Sequence, residues 1–304
     1  MAGKKRDKER ERAFLDNGSK LLEKLITYCN GRPIPIRSYS CEELERATNN
    51  YNPSHLFHRD GKYEWYNAVS AKMSTHNNVL KLIECCLETQ IPISVYESAA
   101  NGSLSGTFNV TSDHDGAQHQ REPLSWQSRE IAHAISYLHT AFSRPIVHRD
   151  IKRGNVFLDQ HDVAKLTKFS LSILIPECET HVEDDVCGTA LFLCPNYTTT
   201  SYITEKVDVY SFGSFLLELL TRQKLHYLLR TDYFDVEDFE DDIKKFTINE
   251  LVDPAILVGE GGSVLQQLQC VLQLAVICIE KDPEMRPTMV DVIKELRKIE
   301  RFIL

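Results

Sequence analysis

VHRDIKRGNVFLD, residues 147–159, is the stretch on which the reading of this 304-residue chain turns. It holds Asp150, Lys152 and Asn155 in close succession after His148-Arg149. Outward from it the apolar residues fall at helical spacing. In 126–142 Ile131, Ala134, Ile135 and Leu138 follow i, i+3, i+4, i+7, one buried face of a helix. The same periodicity predicts helices over 204–222, 264–280 and 288–303, the last with Met289, Val292, Ile293, Leu296 and Ile299 in its stripe. KDPEMRPTM, with two prolines, breaks the chain between the last two helices. A second His-Arg-Asp at 58–60 runs on into Gly61-Lys62-Tyr63; it shares the Lys two places after the Asp but has Trp65 where Asn155 stands in the first copy, and reads as chance.

Upstream the pattern changes. A charged tail, MAGKKRDKERER, precedes a short amphipathic helix predicted near Leu15–Tyr28, and two prolines in GRPIPIRSYS force an extended link. The tail reads as solvated or frayed, with a weak membrane-surface tether as the alternative. Ser40 ahead of CEELERATNNY has the form of an N-cap and helix start. From about Leu56 to Tyr96 the runs YEWYNAV, NVLKLIECCL and IPISVYE read as short strands, and 105–121 as a polar loop.

Composition narrows the classes. With 42% apolar and 26% charged residues the chain is globular, and its length suits about two domains or lobes. Its longest apolar stretch, 268–279, is too short and too interrupted by Gln to span a bilayer. No apolar segment backs the basic start and Gly stands at position 3, so neither a secretory signal nor a myristoylation site is expected. Nine Cys without C-x-x-C or zinc spacing predict free, mostly buried thiols in a reducing compartment. A net charge of −9 argues against nucleic acid as a partner. The acidic run DYFDVEDFEDDIKK, 232–245, reads as a solvated loop, or, given Tyr233, Phe234 and Phe239, as a docking surface.

The stretch at 147–159 matches the catalytic loop H-R-D-x-K-x-x-N of protein kinases. LSW before a helix, YLHTAF, Gly188-Thr189, DVYSFG at 208–213 and DPEMRPTM at 282–289 recur in kinase order, so the resemblance covers roughly 38–300. NGSKLLEKLITYCNGRPIPIRSYS, YEWY and YLHTAFSRPIVHRDIK most resemble the plant receptor-like cytoplasmic pseudokinases of the ZRK subfamily, adaptors for a coiled-coil NLR immune receptor. The resemblance implies an α+β, bilobal protein-kinase-like fold. A basic tail and linker (1–37) would precede a truncated, mostly β N-lobe (about 38–97) and a helical C-lobe (about 98–300). By the same resemblance Asp150 would take the substrate hydroxyl proton, Lys152 would meet the moving phosphoryl group and Asn155 would hold Mg²⁺. Asp208 would tie down the His-Arg-Asp backbone, His148 and Phe169 would link the lobes as spine residues, and Phe157, where kinases often carry a Leu beneath the adenine, would partly fill that pocket.

Four departures from the kinase pattern bear on chemistry. Residues 56–66, LFHRDGKYEWY, keep Gly61 alone where a Gly-rich loop closes over ATP. Nine residues separate Tyr66 from His76, too few for a strand of about 5 residues and a helix of about three turns. Lys72 therefore cannot be a strand lysine paired with a helix αC glutamate, whose place falls near Asn67. In AKLTKFSLSI, Lys168 stands where the metal-binding aspartate belongs, and an ammonium there repels a hard divalent cation. Cys194-Pro195-Asn196 replaces A-P-E, so Asn196 offers Arg286 a hydrogen bond in place of an ion pair. The helix before His-Arg-Asp also reads about five residues short and locally rearranged.

The expectation is a catalytically inactive kinase-fold adaptor or decoy in plant innate immunity, with no cofactor and weak or absent ATP/Mg binding. Its implied partners are an NLR leucine-rich-repeat domain and receptor-like cytoplasmic kinase clients. Its implied location is cytoplasmic, with peripheral attachment at the plasma membrane as a variant. Residual serine/threonine kinase activity and a degenerate, non-functional paralogue stand as alternatives.

Overall fold

A computed structural model describes residues 2–29, 37–51, 56–60, 63–66, 76–107, 124–225, 239–252 and 262–301. The chain divides into two compact units, 1–102 and 103–304.

In the first unit α1 (Ala2–Cys29) is followed by β1 (Arg37–Ser38), α2 (Cys41–Ala47), β2 (Leu56–Asp60), β3 (Tyr63–Tyr66), β4 (Leu82–Cys86) and β5 (Ile93–Tyr96). The expected start at Ser40 is a full capping box: its hydroxyl accepts from the Glu43 amide, and the Glu43 carboxylate accepts from the Ser40 amide at 2.9 Å. β4 lies between β1, which it pairs in parallel, and β5, which it pairs antiparallel. α2 covers this sheet through Cys41 and Leu44, which pack with Cys86 against Tyr39, Tyr51, Ile93 and Val95. Burial, with the neighbouring Cys86, pushes the Cys41 thiol up to about 12, so both sulfurs, 3.7 Å apart, remain protonated packing groups. β2 and β3 form a separate hairpin, and the chance His-Arg-Asp copy lies along β2. Gly61, Asn67 and Lys72 lie outside the described residues.

The basic tail is largely solvent-exposed, as read, but is helical and not frayed. The helix predicted near Leu15–Tyr28 runs unbroken from Ala2. Arg6 reaches Glu45 of α2 at 2.7 Å, and Arg10 reaches the same carboxylate at 3.2 Å. Asn17 donates to the carbonyls of Leu87 (3.0 Å) and Thr89 (2.8 Å) just past β4. These tertiary partners add to helix propensity what a charged segment lacks in apolar burial.

The second unit holds α3 (Leu104–Thr107), α4 (Leu124–Thr140), β6 (Ile146–Val147), β7 (Val156–Leu158), β8 (Ala164–Leu166), β9 (Ile173–Leu174), β10 (Val182–Glu183), α5 (Pro195–Thr200), β11 (Tyr202–Ile203) and α6 (Lys206–Thr221). It continues with α7 (Phe239–Lys245), α8 (Ile248–Leu251), α9 (Gly262–Cys278) and α10 (Met289–Arg301). The four long helices stand within a few residues of their predicted bounds. α4 is continuous, without the local rearrangement expected of it. The stripes of α4 and α10 are buried and the two helices pack together. Each fully buried Ile or Leu in them contributes about 1.5–3 kcal/mol relative to exposure.

α6 is buried on every side from Val207 to Thr221 and packs on α9. A Cβ on Gly213 would meet Ile279 Cγ2 at 2.7 Å, Cys278 Cβ at 2.8 Å and the Ala275 carbonyl at 2.9 Å, so only glycine permits this approach. Short strand pairings then position the loops. β6 pairs β9 and β7 pairs β8, all antiparallel, so the 148–155 loop and the 167–172 turn emerge side by side.

The acidic run departs from both of its readings at Phe239. That ring is buried at the start of α7, 6.5 Å from Tyr210, and is neither solvated nor available for docking. Tyr233 and Phe234 lie outside the described residues. Among the described residues, no helix is long and apolar enough to cross a membrane.

Candidate functional site

Asp208, in the first turn of α6 and fully buried, organises the loop at 148–155. Its Oδ2 accepts from the His148 amide at 2.7 Å, its Oδ1 from the Arg149 amide at 2.8 Å, and His139 Nε2 lies 3.0 Å from Oδ2. Two consecutive amides converge on one carboxylate because Arg149 adopts φ 69°, a left-handed conformation that costs a non-glycine residue about 1–3 kcal/mol and persists only where surroundings enforce it. Burial alone would raise the Asp208 carboxyl, but hydrogen bonds from His139 and the loop amides outweigh it and hold the group below the usual carboxylate range.

His148 is buried too. Its Nε2 donates to the Thr167 carbonyl (2.9 Å) and its Nδ1 accepts from the Asp150 amide (3.2 Å), an arrangement that requires the neutral ring. Burial pushes its pKa down, against the opposing pull of Asp208 and the Thr167 carbonyl. A depressed histidine means that the unfolded chain binds the extra proton first, so stability falls as pH drops below about 6.5, the unfolded value. Asp208 does not blur this window, since a depressed carboxyl keeps its contribution until pH falls below its unfolded value of about 3.9. We expect urea midpoints to decline between pH 7.5 and 5.5, with a flatter slope in His148→Gln. Equal slopes would place the proton uptake elsewhere.

The three loop residues singled out from the sequence are brought together. Asn155 donates through Nδ2 to the Asp150 carbonyl (2.7 Å) and to its Oδ2 (2.6 Å), and Lys152 Nζ lies 3.1 Å from that oxygen. Thr189 donates to Asp150 Oδ1 at 2.5 Å and accepts from Lys152 at 2.7 Å. Gly188 allows this with φ 136°, where a Cβ would stand 2.7 Å from the Arg149 carbonyl. Three donors therefore occupy a carboxylate with about four acceptor directions.

Asn155 Oδ1 is buried and carries no hydrogen bond, which suits a metal ligand. The next link of the site does not. The Thr167 amide bonds the Asn155 carbonyl at 2.9 Å, and the residue after Thr167 is Lys168, at φ 63°, where a second, anionic ligand would stand. One neutral amide oxygen, followed at this point of the chain by a lysine and not a carboxylate, is a poor set for Mg²⁺, which binds through carboxylates and phosphate oxygens. Among the described residues this donor set does not fit a magnesium nucleotide. The Phe169 ring meets His148 edge-on at 5.0 Å, and Phe157 is fully buried in β7.

Arg286 is almost wholly buried, but its guanidinium does not turn to Asn196 as expected. It donates to the carbonyls of Glu280 (2.6 Å), Lys281 (3.1 Å) and Lys206 (3.2 Å) and lies 5.0 Å over the Tyr210 ring. Backbone carbonyls fill the fork, and Asn196 lies half-buried in α5, where its own carbonyl accepts from Thr199 and Thr200.

Sequence reasoning also missed contacts made by neighbours of the singled-out residues. Arg149 Nη1 pairs with Asp184 at 2.8 Å, Arg153 with Glu218 at 2.8 Å, and Tyr197 Oη donates to the Asp185 carbonyl. Only Arg149 and Arg153 carried a signal, as charges inside the decisive stretch.

Comparison with known proteins bears on this site. The protein kinase domain family matches residues 65–296. The chain is 35% identical to the Arabidopsis thaliana protein named non-functional pseudokinase ZRK2, across 98% of this chain and 92% of the relative. Identity is also 35% to the Arabidopsis thaliana non-functional pseudokinase ZED1 (98% and 99% covered) and to serine/threonine-protein kinase ZRK1 (98% and 95%). A family match over most of the chain and near full-length likeness to these relatives lead to one assignment: the chain belongs to the protein kinase family and, within it, to the ZRK group of kinases and pseudokinases.

Proposed function

We propose that the protein is a catalytically inactive kinase-fold adaptor whose work is done by its surfaces. The observation that carries the reading is Lys168, a lysine where the kinase resemblance calls for the metal-binding carboxylate, directly after Thr167, whose amide bonds the Asn155 carbonyl. Two of the relatives named above are called non-functional pseudokinases, which supports it. A fold can lose its chemistry and keep its binding surfaces. The adaptor would hold an NLR leucine-rich-repeat domain and present its activation segment, 170–196, to a receptor-like cytoplasmic kinase client in plant immunity, in the cytoplasm or at the plasma membrane. It would need no cofactor.

Two measurements test this. With labelled ATP and magnesium, phosphate incorporation into the chain or a generic Ser/Thr substrate is expected to equal that of Asp150→Asn, and incorporation above that control overturns inactivity. Pull-down with plant NLR repeat domains is expected to capture the wild type and Asp150→Asn equally, and capture of neither, from folded protein, overturns the adaptor role.

The second reading is residual kinase activity. It is favoured by the ordered cluster of Asp150, Lys152, Asn155 and Thr189, and by a relative named a serine/threonine-protein kinase. A thermal shift with ATP that requires magnesium would favour it.

A further inference from the structure

Between Lys168 and Lys206 the chain carries six carboxylates and no Lys or Arg. One of the six is used from within. Asp184 Oδ2 lies 2.8 Å from Nη1 of Arg149, whose side chain is only 8% exposed. The same guanidinium donates through Nε to the Leu171 carbonyl, and its Nη1 lies 3.5 Å from Tyr197 Oη. The cation thus joins three stretches of chain: its own loop, the turn at 169–171 and the segment at 184.

That segment is clasped on both sides of the ion pair. Before it, β10 pairs with β11, and the His181 ring lies 4.5 Å from Tyr202. After it, the buried Tyr197 donates to the Asp185 carbonyl at 2.8 Å and accepts from the Cys187 amide at 3.0 Å. The Arg149 guanidinium is the only cationic side chain among these partners, and removing its anion leaves a nearly buried charge unpaired, which is costly.

In protein kinases generally, activation segments are ordered by phosphorylation, through new pairs between arginine and the phosphate. Here a carboxylate already pairs with the arginine. We propose that Asp184 serves in place of an activation-segment phosphate, so that residues 182–201 hold their folded form with no phosphorylation of this chain. The segment then stays ordered at all times, set by the sequence and not by an upstream kinase. The hydrogen bond from Arg149 also lowers the Asp184 carboxyl below the usual range, so the pair stays charged near neutrality.

This inference concerns the regulation of the surface read above as client-facing and rests on that reading for its purpose alone. Its test reads the segment itself, so failed partner capture leaves it standing. Hydrogen exchange is followed in the full-length chain before and after phosphatase treatment, beside Asp184→Asn and Asp185→Asn. The second variant removes the same charge from the exposed neighbour and serves as the control. The amides of Asp184 and Cys187 are expected to be protected equally with and without phosphatase. They should exchange about tenfold faster in Asp184→Asn, as for loss of one charge-assisted bond, and be unchanged in Asp185→Asn. Free exchange in the wild type, protection that phosphatase abolishes, or equal effects of the two variants would each overturn the proposal.

Discussion

Asp208→Ala is expected to destabilise the second unit by about 3–5 kcal/mol, the range for removing one partner from a buried charged network. The magnitude follows from what the substitution strands. Two backbone amides, of His148 and Arg149, lose their acceptor inside the protein, and His139 loses the carboxylate 3.0 Å away. Each buried donor left unsatisfied costs about 1–3 kcal/mol, and the left-handed conformation of Arg149 loses the bond that enforces it. For a unit of this size the change corresponds to a fall of about 6–20 °C in Tm. Asp208→Asn, which keeps the volume and one acceptor, is expected to fall between. A cooperative melt of Asp208→Ala within 1 °C of wild type would show that the loop is held by other contacts.

The second large effect is expected at Arg286. Arg286→Ala should cost about 3 kcal/mol or more, since hydrogen bonds to a charged group contribute about 1.5–3 kcal/mol each and a large buried side chain leaves a cavity. The three carbonyls it bonds belong to α6 and to the turn ahead of α10, so the guanidinium fastens one to the other. Arg286→Lys should recover less than half of the loss, because one ammonium cannot span three carbonyls and also stack on Tyr210. Asn196→Ala, by contrast, should leave the Arg286 anchor intact. Urea midpoints of the three variants decide it, and equal losses in Asn196→Ala and Arg286→Ala would restore the pairing that the sequence suggested.

The sequence disclosed the elements whose signal is periodic. The stripes of α4 and α10 could be read because burial repeats every 3.6 residues, and the start of α2 because a capping box is a local pattern. The cluster of Asp150, Lys152 and Asn155 was legible for a similar reason, its members lying within six residues of one another. What escaped depends on partners far along the chain. The extension of α1 to Ala2 takes Glu45 as a partner for Arg6 and Arg10, and the burial of Phe239 takes Tyr210. Arg286 was matched to Asn196 because a family pattern names side chains, whereas the groups that bind it are carbonyls, which every residue has. The Arg149–Asp184 pair spans 35 residues and leaves no spacing rule to find.

The inward bonds of Asp150 carry a consequence for how such a chain drifts. A residue whose whole task is to face a ligand is released from selection once the ligand goes unused, and can become anything soluble. Asp150 and Asn155 are not so released: the amide of one holds both the carboxylate and the carbonyl of the other, and Thr189 bonds the remaining carboxylate oxygen. Substituting either one unfastens its neighbours, so purifying selection for folding alone would preserve them. An aspartate kept at position 150 is then a record of architecture, and lineages of this kind should shed their ligand-facing residues first and their self-bonded ones last.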